Sequence, residues 1–433
     1  MTWVADVSRT SNNALAIDGG LSVRSREFAP WPSVSEDEVE AASAVLRSGK
    51  LNYWTGDQGR KFEDEFAAFT NCKHAIAVAN GTVALELALY ALGIGPGDEV
   101  IVPSRTFVAS ASCVVMRGAT PVFADVDSVS QTVTAATIRA VLTANTRAII
   151  VVHLAGWACD MDPIILLAQE YGLKVIEDCA QAHGATYKGR PVGCLGQAAA
   201  FSFCQDKIMS TGGEGGMLTT NDHQVWQRAW SFKDHGKAYG AAHTLQWSPA
   251  FRWLHDSFGT NWRMTEMQAA IGRALLTKIR GHLERRRANA ATLNSGFGAL
   301  PALRTTIPPK EIGHAYYKYY VFLRAGWLRC GWSRDRLLQV IAAEGIPCFS
   351  GSCSEVYLER AFPECMRPAD RLPIARNLGE TSLMFLVHPT LSEQDMADTV
   401  RAVQKVLEVA TAGSPTELDS DKHSHVFPEA LAV

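Results

Sequence analysis

Between His74 and Asp222, short and nearly unbroken apolar runs alternate with longer stretches in which apolar residues recur at helical spacing. The runs at 74–80 (HAIAVAN), 100–104 (VIVPS), 121–127 (PVFADVD), 148–156 (AIIVVHLAG), 173–178 (LKVIED), 198–203 (AAAFSF) and 216–220 (GMLTT) read as strands. The segments at 82–94 (TVALELALYALGI), 106–118 (TFVASASCVVMRG) and from Asp162 to Tyr171 read as helices. Strands this apolar need helices over both faces, and the alternation predicts βαβ units in a largely parallel sheet, an α/β fold. After Trp262 the texture changes. Residues 264–297 carry apolar side chains at 264, 267, 271, 275, 276 and 279, which predicts one long amphipathic helix linking the sheet to a smaller region. There, 316–323 (YYKYYVFL) reads as a strand, 334–347 as a helix and Glu393 to Ala412 as a final helix, the elements of a compact α+β domain.

The expected organisation is an N-terminal extension over 1–28, a large domain over 29–262, a small C-terminal domain over 263–411 and a flexible tail over 412–433. Both ends are polar and weakly periodic, so both are expected to be flexible or loosely docked. At 433 residues the chain is long enough for a large domain with a smaller partner.

The polar residues that interrupt this pattern carry the candidate chemistry. In open parallel sheets, ligands lie outside the carboxyl ends of the strands. Asn80, Ser104, His153, Asp178 and Ser202 fall at or near such ends, and one crevice can collect them. Lys207 follows Ser202 by five residues, just ahead of a glycine cluster. Pyridoxal phosphate needs this set: a buried carboxylate to keep the ring nitrogen protonated, an amine for its aldehyde, and hydroxyls with helix N-terminal N–H groups for its phosphate. Asp178 and Lys207 suit the first two roles, and Ser202 with the turn Asn80, Gly81 and Thr82 suits the third. The glycines at 212, 213, 215 and 216 fit neither GxxxxGK[ST] nor GxGxxG, which argues against a nucleotide loop. They suit a close backbone approach to the cofactor or a bulge before the next strand.

Composition narrows the setting. Apolar residues make up 47% and charged residues 20%, with a formal net charge of -3, so nothing points to nucleic acid or an anionic membrane as partner. The ten cysteines include no CxxC pair and no zinc spacing, and read as reduced thiols with no metal. The start of the chain lacks the pattern of a signal peptide and no apolar run is long enough for a membrane span, so a cytoplasmic protein is expected.

Five blocks then carry a resemblance: 80–110 (NGTVALELALYALGIGPGDEVIVPSRTFVAS), 153–162 (HLAGWACDMD), 176–185 (IEDCAQAHGA), 201–216 (FSFCQDKIMSTGGEGG) and 261–272 (NWRMTEMQAAIG). In this order they resemble the DegT/DnrJ/EryC1/StrS family of sugar aminotransferases, over a region from about Trp31 to about His388. The resemblance implies the fold-type-I fold of pyridoxal-phosphate-dependent transferases, pyridoxal 5'-phosphate as cofactor, and transfer of an amino group from glutamate to a keto group of a nucleotide-linked sugar. It implies Lys207 as the Schiff-base lysine and general acid and base, and Asp178 as the partner of the pyridinium nitrogen. Gln181 would meet the phenolic oxygen or ring face, Phe107 would stack on the ring, and Gly81, Thr82 and Ser202 would bind the phosphate. Asn261, with Arg263, would reach the cofactor phosphate of a neighbouring subunit, which implies a homodimer with shared active sites. His153, His183, His314, Tyr316, Tyr317 and Tyr319 are further candidates to face cofactor or substrate, with packing as the alternative for each. A dehydratase of the deoxysugar type would carry His where Lys207 stands. An aminohydroxybenzoate synthase, or a non-catalytic partner protein of the same fold, remains as an alternative.

Overall fold

A computed structural model describes residues 14–244 and 252–412. Residues 1–13 and 413–433 fall outside this range, and with them the start of the expected extension and nearly all of the expected tail.

The apolar runs form a seven-stranded sheet: β1 (His74–Val78), β2 (Glu99–Pro103), β3 (Thr120–Ala124), β4 (Thr146–Val152), β5 (Lys174–Asp178), β6 (Ala198–Ser202) and β7 (Gly216–Thr220). The strand order is β1-β7-β6-β5-β4-β2-β3. β6, β5, β4, β2 and β3 pair in parallel, while β7 runs antiparallel to both of its neighbours. Successive residues of one strand enter different cores because side chains alternate across a sheet. Ala77, Ile101, Ile149 and Val175 pack on one face, and Ile76, Val100, Ile150 and Ile176 on the other.

Helices cover the sheet and carry the chain onward: α1 (Glu36–Ser48), α2 (Gln58–Thr70), α3 (Gly81–Ala91), α4 (Ala109–Met116), α5 (Met161–Tyr171) and α6 (His223–Lys233). The long helix α7 (Glu266–Gly298) opens on a capping box, in which the Thr265 hydroxyl accepts from Gln268 N and the Gln268 side chain accepts from Thr265 N. It packs on α1 and α2 and reaches α9 (Glu393–Ala410) at the other end. An antiparallel four-stranded sheet follows, with β8 (Leu303–Thr305), β9 (Tyr319–Leu323), β10 (Cys348–Phe349) and β11 (Ser382–Phe385) in the order β8-β9-β11-β10. Its core joins Val321, Leu383 and Phe385 to Leu293 and Phe297 of α7, to Leu337 and Ile341 of α8 (Arg334–Ala343) and to Val403 of α9.

The described part of the expected extension is anchored, not loose. Leu15 is buried in the core of the second sheet, and Ala16 N donates to Glu344 Oε1 at 2.8 Å. Arg24 pairs with Asp395 at 2.7 Å and Asp398 at 3.0 Å, both on α9. Separating them would leave the buried Arg24 and Asp395 without their charge partners, while Asp398 would keep Arg401, and that cost holds the segment in place. Among the described residues, no helix is long and apolar enough to cross a membrane.

Candidate active site

β5 ends on Asp178, β6 ends on Ser202, and β1 runs through Ala79 and Asn80 into α3, so three strand ends open into one cavity of about 880 Å³. Asp178 is buried, and its oxygens are used: Oδ2 accepts from Ser110 Oγ at 2.7 Å and Oδ1 from Ala180 N at 3.0 Å. Burial pushes the Asp178 carboxyl above its ordinary value, against the pull of those two hydrogen bonds and of Lys207. A cationic partner inside the cavity would relieve that cost. Ser110 sits on α4, and its hydroxyl also meets Thr106 Oγ1 at 2.7 Å.

Beside the acid lies an anion cradle. Asn80 caps α3 by accepting from Val83 N at 3.0 Å, which leaves the N–H groups of Gly81 and Thr82 at the open helix end. A Cβ on Gly81 would stand 2.6 Å from Ser202 Cβ, and one on Gly216 would stand 2.3 Å from the Asn80 carbonyl oxygen. Only glycine lets α3, β6 and β7 approach this closely, and the approach brings the Ser202 hydroxyl to the helix end. In the following glycine cluster, Gly212 and Gly213 adopt φ of 76° and 109°, so the loop needs the left-handed region that glycine supplies.

Lys207 lies between the two sheets. Its Nζ donates to Tyr317 Oη at 3.4 Å and stands 3.6 Å from Asp206 Oδ1, and its backbone oxygen accepts from Trp31 Nε1 at 2.9 Å. Tyr317 Oη in turn donates to Asp206 Oδ2 in a short hydrogen bond. Burial and the Asp206 charge raise the Tyr317 phenol, which keeps it protonated as a donor. Gln181 is buried and accepts from Ala155 N at 2.7 Å through Oε1. It is no surface amide. Phe107 is 66% exposed at the cavity wall, so it is not a core residue.

All of the expected cofactor residues except Asn261 therefore line one cavity. Asn261 is exposed and lies outside its lining, with its backbone bridged to Asp234, while Arg263 forms a short ion pair with the same aspartate. His153 and His183 are both wholly buried and outside the lining. His153 Nε2 pairs with Glu177 Oε2 at 3.0 Å, and Glu177 also accepts from the N–H groups of Gly193, Leu195 and Gly196. With Cys179 these two side chains place possible ligand atoms within 4.8 Å, but the carboxylate is already saturated by donors. His183 packs against the rings of Phe201 and Phe203 at 5.4 and 5.6 Å. Of the cluster at 314–322, His314 stacks on Tyr316 at 3.9 Å and Tyr319 is buried against Asn294, whereas Tyr317, Lys318 and Tyr320 reach the cavity.

The opposite wall comes from the second sheet: Tyr317, Lys318, Tyr320, Phe349, the stretch Gly351 to Cys353, Met384 and Leu386. Apart from Tyr317, sequence reasoning missed these, together with Ser110 and Asp206. Ser110 shares the short helix α4 with Ser112, so no local pattern singled it out, and Lys318 lies at the bend just before β9, where strand alternation does not reach.

The donor set fits pyridoxal phosphate. A buried, hydrogen-bonded acid could face a ring nitrogen, a glycine-dependent cradle with a hydroxyl could hold a phosphate, and an amine on a separate loop could meet the aldehyde.

Comparison with known proteins agrees with this geometry. Residues 32–404 match the model of the DegT/DnrJ/EryC1/StrS aminotransferase family. The chain is 39% identical over 362 residues to the GDP-perosamine synthase of Caulobacter vibrioides, covering 82% of this chain and 92% of that protein. It is 34% identical over 387 residues to the spore coat polysaccharide biosynthesis protein SpsC of Bacillus subtilis, covering 88% and 98%. The crystal structure of an aminotransferase from Psychrobacter cryohalolentis superposes with a TM-score of 0.87 at 54% identity, covering 88% of this chain and 99% of that one.

Proposed function

The chain belongs to the DegT/DnrJ/EryC1/StrS family and is a pyridoxal-phosphate-dependent aminotransferase, and from that premise we propose that it moves the amino group of glutamate to a keto carbon of a nucleotide-linked sugar, in the biosynthesis of a surface polysaccharide, a glycan or another amino sugar. The observation that carries this reading is the convergence of Asp178, Ser202, the Gly81–Thr82 helix end and Lys207 on one cavity wide enough for a cofactor and part of a substrate. Two of the relatives support it by name, a GDP-perosamine synthase and a spore coat polysaccharide biosynthesis protein.

When bound, the cofactor supplies an electron sink for the carbon from which a proton is removed. The chain's residues do the rest. Asp178, held by Ser110 and Ala180, keeps a ring nitrogen protonated by giving it a buried counter-charge. Gly81 N, Thr82 N and Ser202 Oγ would hold the phosphate, and Phe107 and Gln181 would hold the ring. Lys207 would be the amine that meets the aldehyde and, once free of it, would move a proton between the cofactor carbon and the substrate carbon in each half-reaction. Tyr317 and Asp206 hold its amine on the cavity side.

Asn261 enters through a second subunit in this reading. Its exposure outside its own cavity supports a homodimer in which Asn261 of one subunit reaches the cofactor phosphate of the other.

The direct test is spectroscopic. Cofactor-loaded protein is yellow, loses that absorbance with glutamate and recovers it with a keto nucleotide sugar, and 3-keto and 4-keto forms tried separately identify the aminated carbon. A protein that takes up no pyridoxal phosphate, or whose absorbance ignores glutamate and every keto sugar, sinks the proposal.

A further inference from the structure

Lys318 faces the same cavity from the second sheet, just before β9, and belongs to none of the roles given above. The charged residues lining the cavity are Asp178, Asp206, Lys207, Glu214 and Lys318, with no arginine among the described lining residues. Lys207 and Asp178 are committed to the cofactor. Lys318 is then the remaining cation of the described lining.

Its setting leaves its donors unused. The Nζ lies 4.8 Å above the Tyr317 ring and 4.0 Å from Asp206 Oδ2, which is too far for a hydrogen bond. Asp206 is already taken by the Tyr317 hydroxyl and by Lys207. Among the described residues no oxygen accepts a hydrogen bond from Lys318, although its side chain is only 18% exposed. Behind it, Arg286 Nη1 donates to the carbonyls of Tyr316 and Tyr317 at 3.3 and 3.2 Å, which fixes the backbone that aims Lys318. A half-buried ammonium with free N–H groups favours an anionic oxygen partner over water. Burial pulls Lys318 below its ordinary value and the Asp206 carboxylate opposes that pull, so an arriving anion would reinforce the charged form.

We propose that Lys318 is the substrate-docking cation of this cavity, taking an anionic oxygen group that is either the carboxylate of the amino donor or the diphosphate of the nucleotide-linked sugar. This rests on the reading that both substrates bring anions, and it separates a substrate-binding lysine from the cofactor-binding one. Asp206 faces both lysines, with Oδ1 3.6 Å from Lys207 Nζ and Oδ2 4.0 Å from Lys318 Nζ.

The test measures binding, not turnover. Cofactor-loaded wild type, Lys318→Met and Lys318→Arg are titrated by calorimetry with glutarate, an unreactive dicarboxylate, and with UDP and GDP. Lys318→Met should bind one class of probe about tenfold or more weakly, the loss of a charge-assisted hydrogen bond, with cofactor absorbance and melting temperature unchanged. Lys318→Arg should recover part of that loss. A loss confined to glutarate assigns the carboxylate, and a loss confined to the nucleotides assigns the diphosphate. Equal affinities in wild type and Lys318→Met for every probe overturn the assignment. Wild-type protein that binds neither class overturns the substrate reading itself, and the role of Lys318 with it.

Discussion

The two walls of the cavity are built by different physics. The wall from the seven-stranded sheet consists of strand ends and a helix N-terminus, where Asp178, Ser202 and the Gly81 cradle are fixed by backbone ladders and by contacts so close that a single methyl group would break them. The wall from the four-stranded sheet is made of side chains: Tyr320 and Met384 project from an antiparallel surface, joined by Tyr317 and Lys318 at the bend before β9 and by the loop at 351–353. The first wall leaves little freedom, which suits a cofactor whose shape does not change. The second can be re-sculpted one side chain at a time, which suits a substrate that differs between relatives. The division predicts that changes to the first wall act on cofactor chemistry and changes to the second on substrate affinity.

The largest expected effect is at the residue between the walls. Lys207→Ala should still take up pyridoxal phosphate but lose activity by about four orders of magnitude or more, because nucleophile and proton carrier vanish together. Borohydride reduction should fix cofactor covalently to wild type and not to the variant, and fixation in the variant would assign the chemistry to another lysine. Asp178→Asn comes next. Removing one partner of a buried charge pair costs about 3–5 kcal/mol, so kcat should fall by about a hundredfold to a few thousandfold. If kcat is unchanged and only the substrate KM moves, Asp178 belongs functionally to the other wall.

The same division decides what the sequence revealed. Apolar runs such as AIIVVH and AAAFSF identify the central strands because a strand buried on both faces has no other composition, and the acid of LKVIED and the hydroxyl of AAAFSF mark the crevice, whereas Ser104 and His153, at the ends of two other runs, are buried outside its lining. Asp178, Ser202 and Lys207 were therefore legible from local pattern. The second wall was not. Tyr320 reaches the cavity because β9 pairs with β11 in one register, Lys318 because it stands at the bend just before that strand, and the loop at 351–353 reaches it through the pairing of β10 with β11. Those pairings join residues more than thirty positions apart, and no local period encodes them. Asp206 is adjacent to Lys207 in the chain, yet its role depends on Tyr317, brought in from the far sheet.

Gly81→Ala tests the rigidity of the first wall at smaller cost. The new methyl would stand 2.6 Å from Ser202 Cβ, forcing α3 away from β6 at a cost of about 1–3 kcal/mol, and pyridoxal phosphate should bind roughly ten- to a hundredfold more weakly. Unchanged cofactor affinity would mean that the cradle is not where the phosphate sits.

Acid should destabilise the protein through histidines behind both walls. Burial pushes His183, His314 and His388 down to about 3. In the unfolded chain they titrate near 6.5, so below that pH the unfolded state takes up protons that the folded state refuses. Each then lowers stability by about 1.4 kcal/mol per pH unit until the folded value is reached. Measured by urea unfolding at pH 7, 6 and 5, stability should fall less steeply for His183→Leu, by about 0.7 kcal/mol from pH 7 to 6 and about 1.2 kcal/mol from pH 6 to 5, and an equal fall would mean that His183 takes up its proton in the fold as it does in the unfolded chain.

The smallest effect, and the sharpest for the comparison, is expected at Tyr320→Phe. Tyr320 Oη accepts from Ser352 N at 2.8 Å, and its ring passes so near Gly351 that a Cβ there would lie 2.3 Å from it. The phenol therefore ties the 351–353 loop to β9, and Phe would fill the same space without that tie. Losing the hydrogen bonds to Ser352 N and to Ser352 Oγ, and leaving Ser352 N without its partner, costs at least about 1 kcal/mol, which loosens the loop without moving Asp178 or the Gly81 cradle. The KM for the sugar should rise by about fivefold, with pyridoxal phosphate affinity, cofactor absorbance and kcat at saturation preserved. If cofactor affinity falls instead, the two walls are coupled through Tyr320, and the assignment of cofactor to one and substrate to the other fails at that residue.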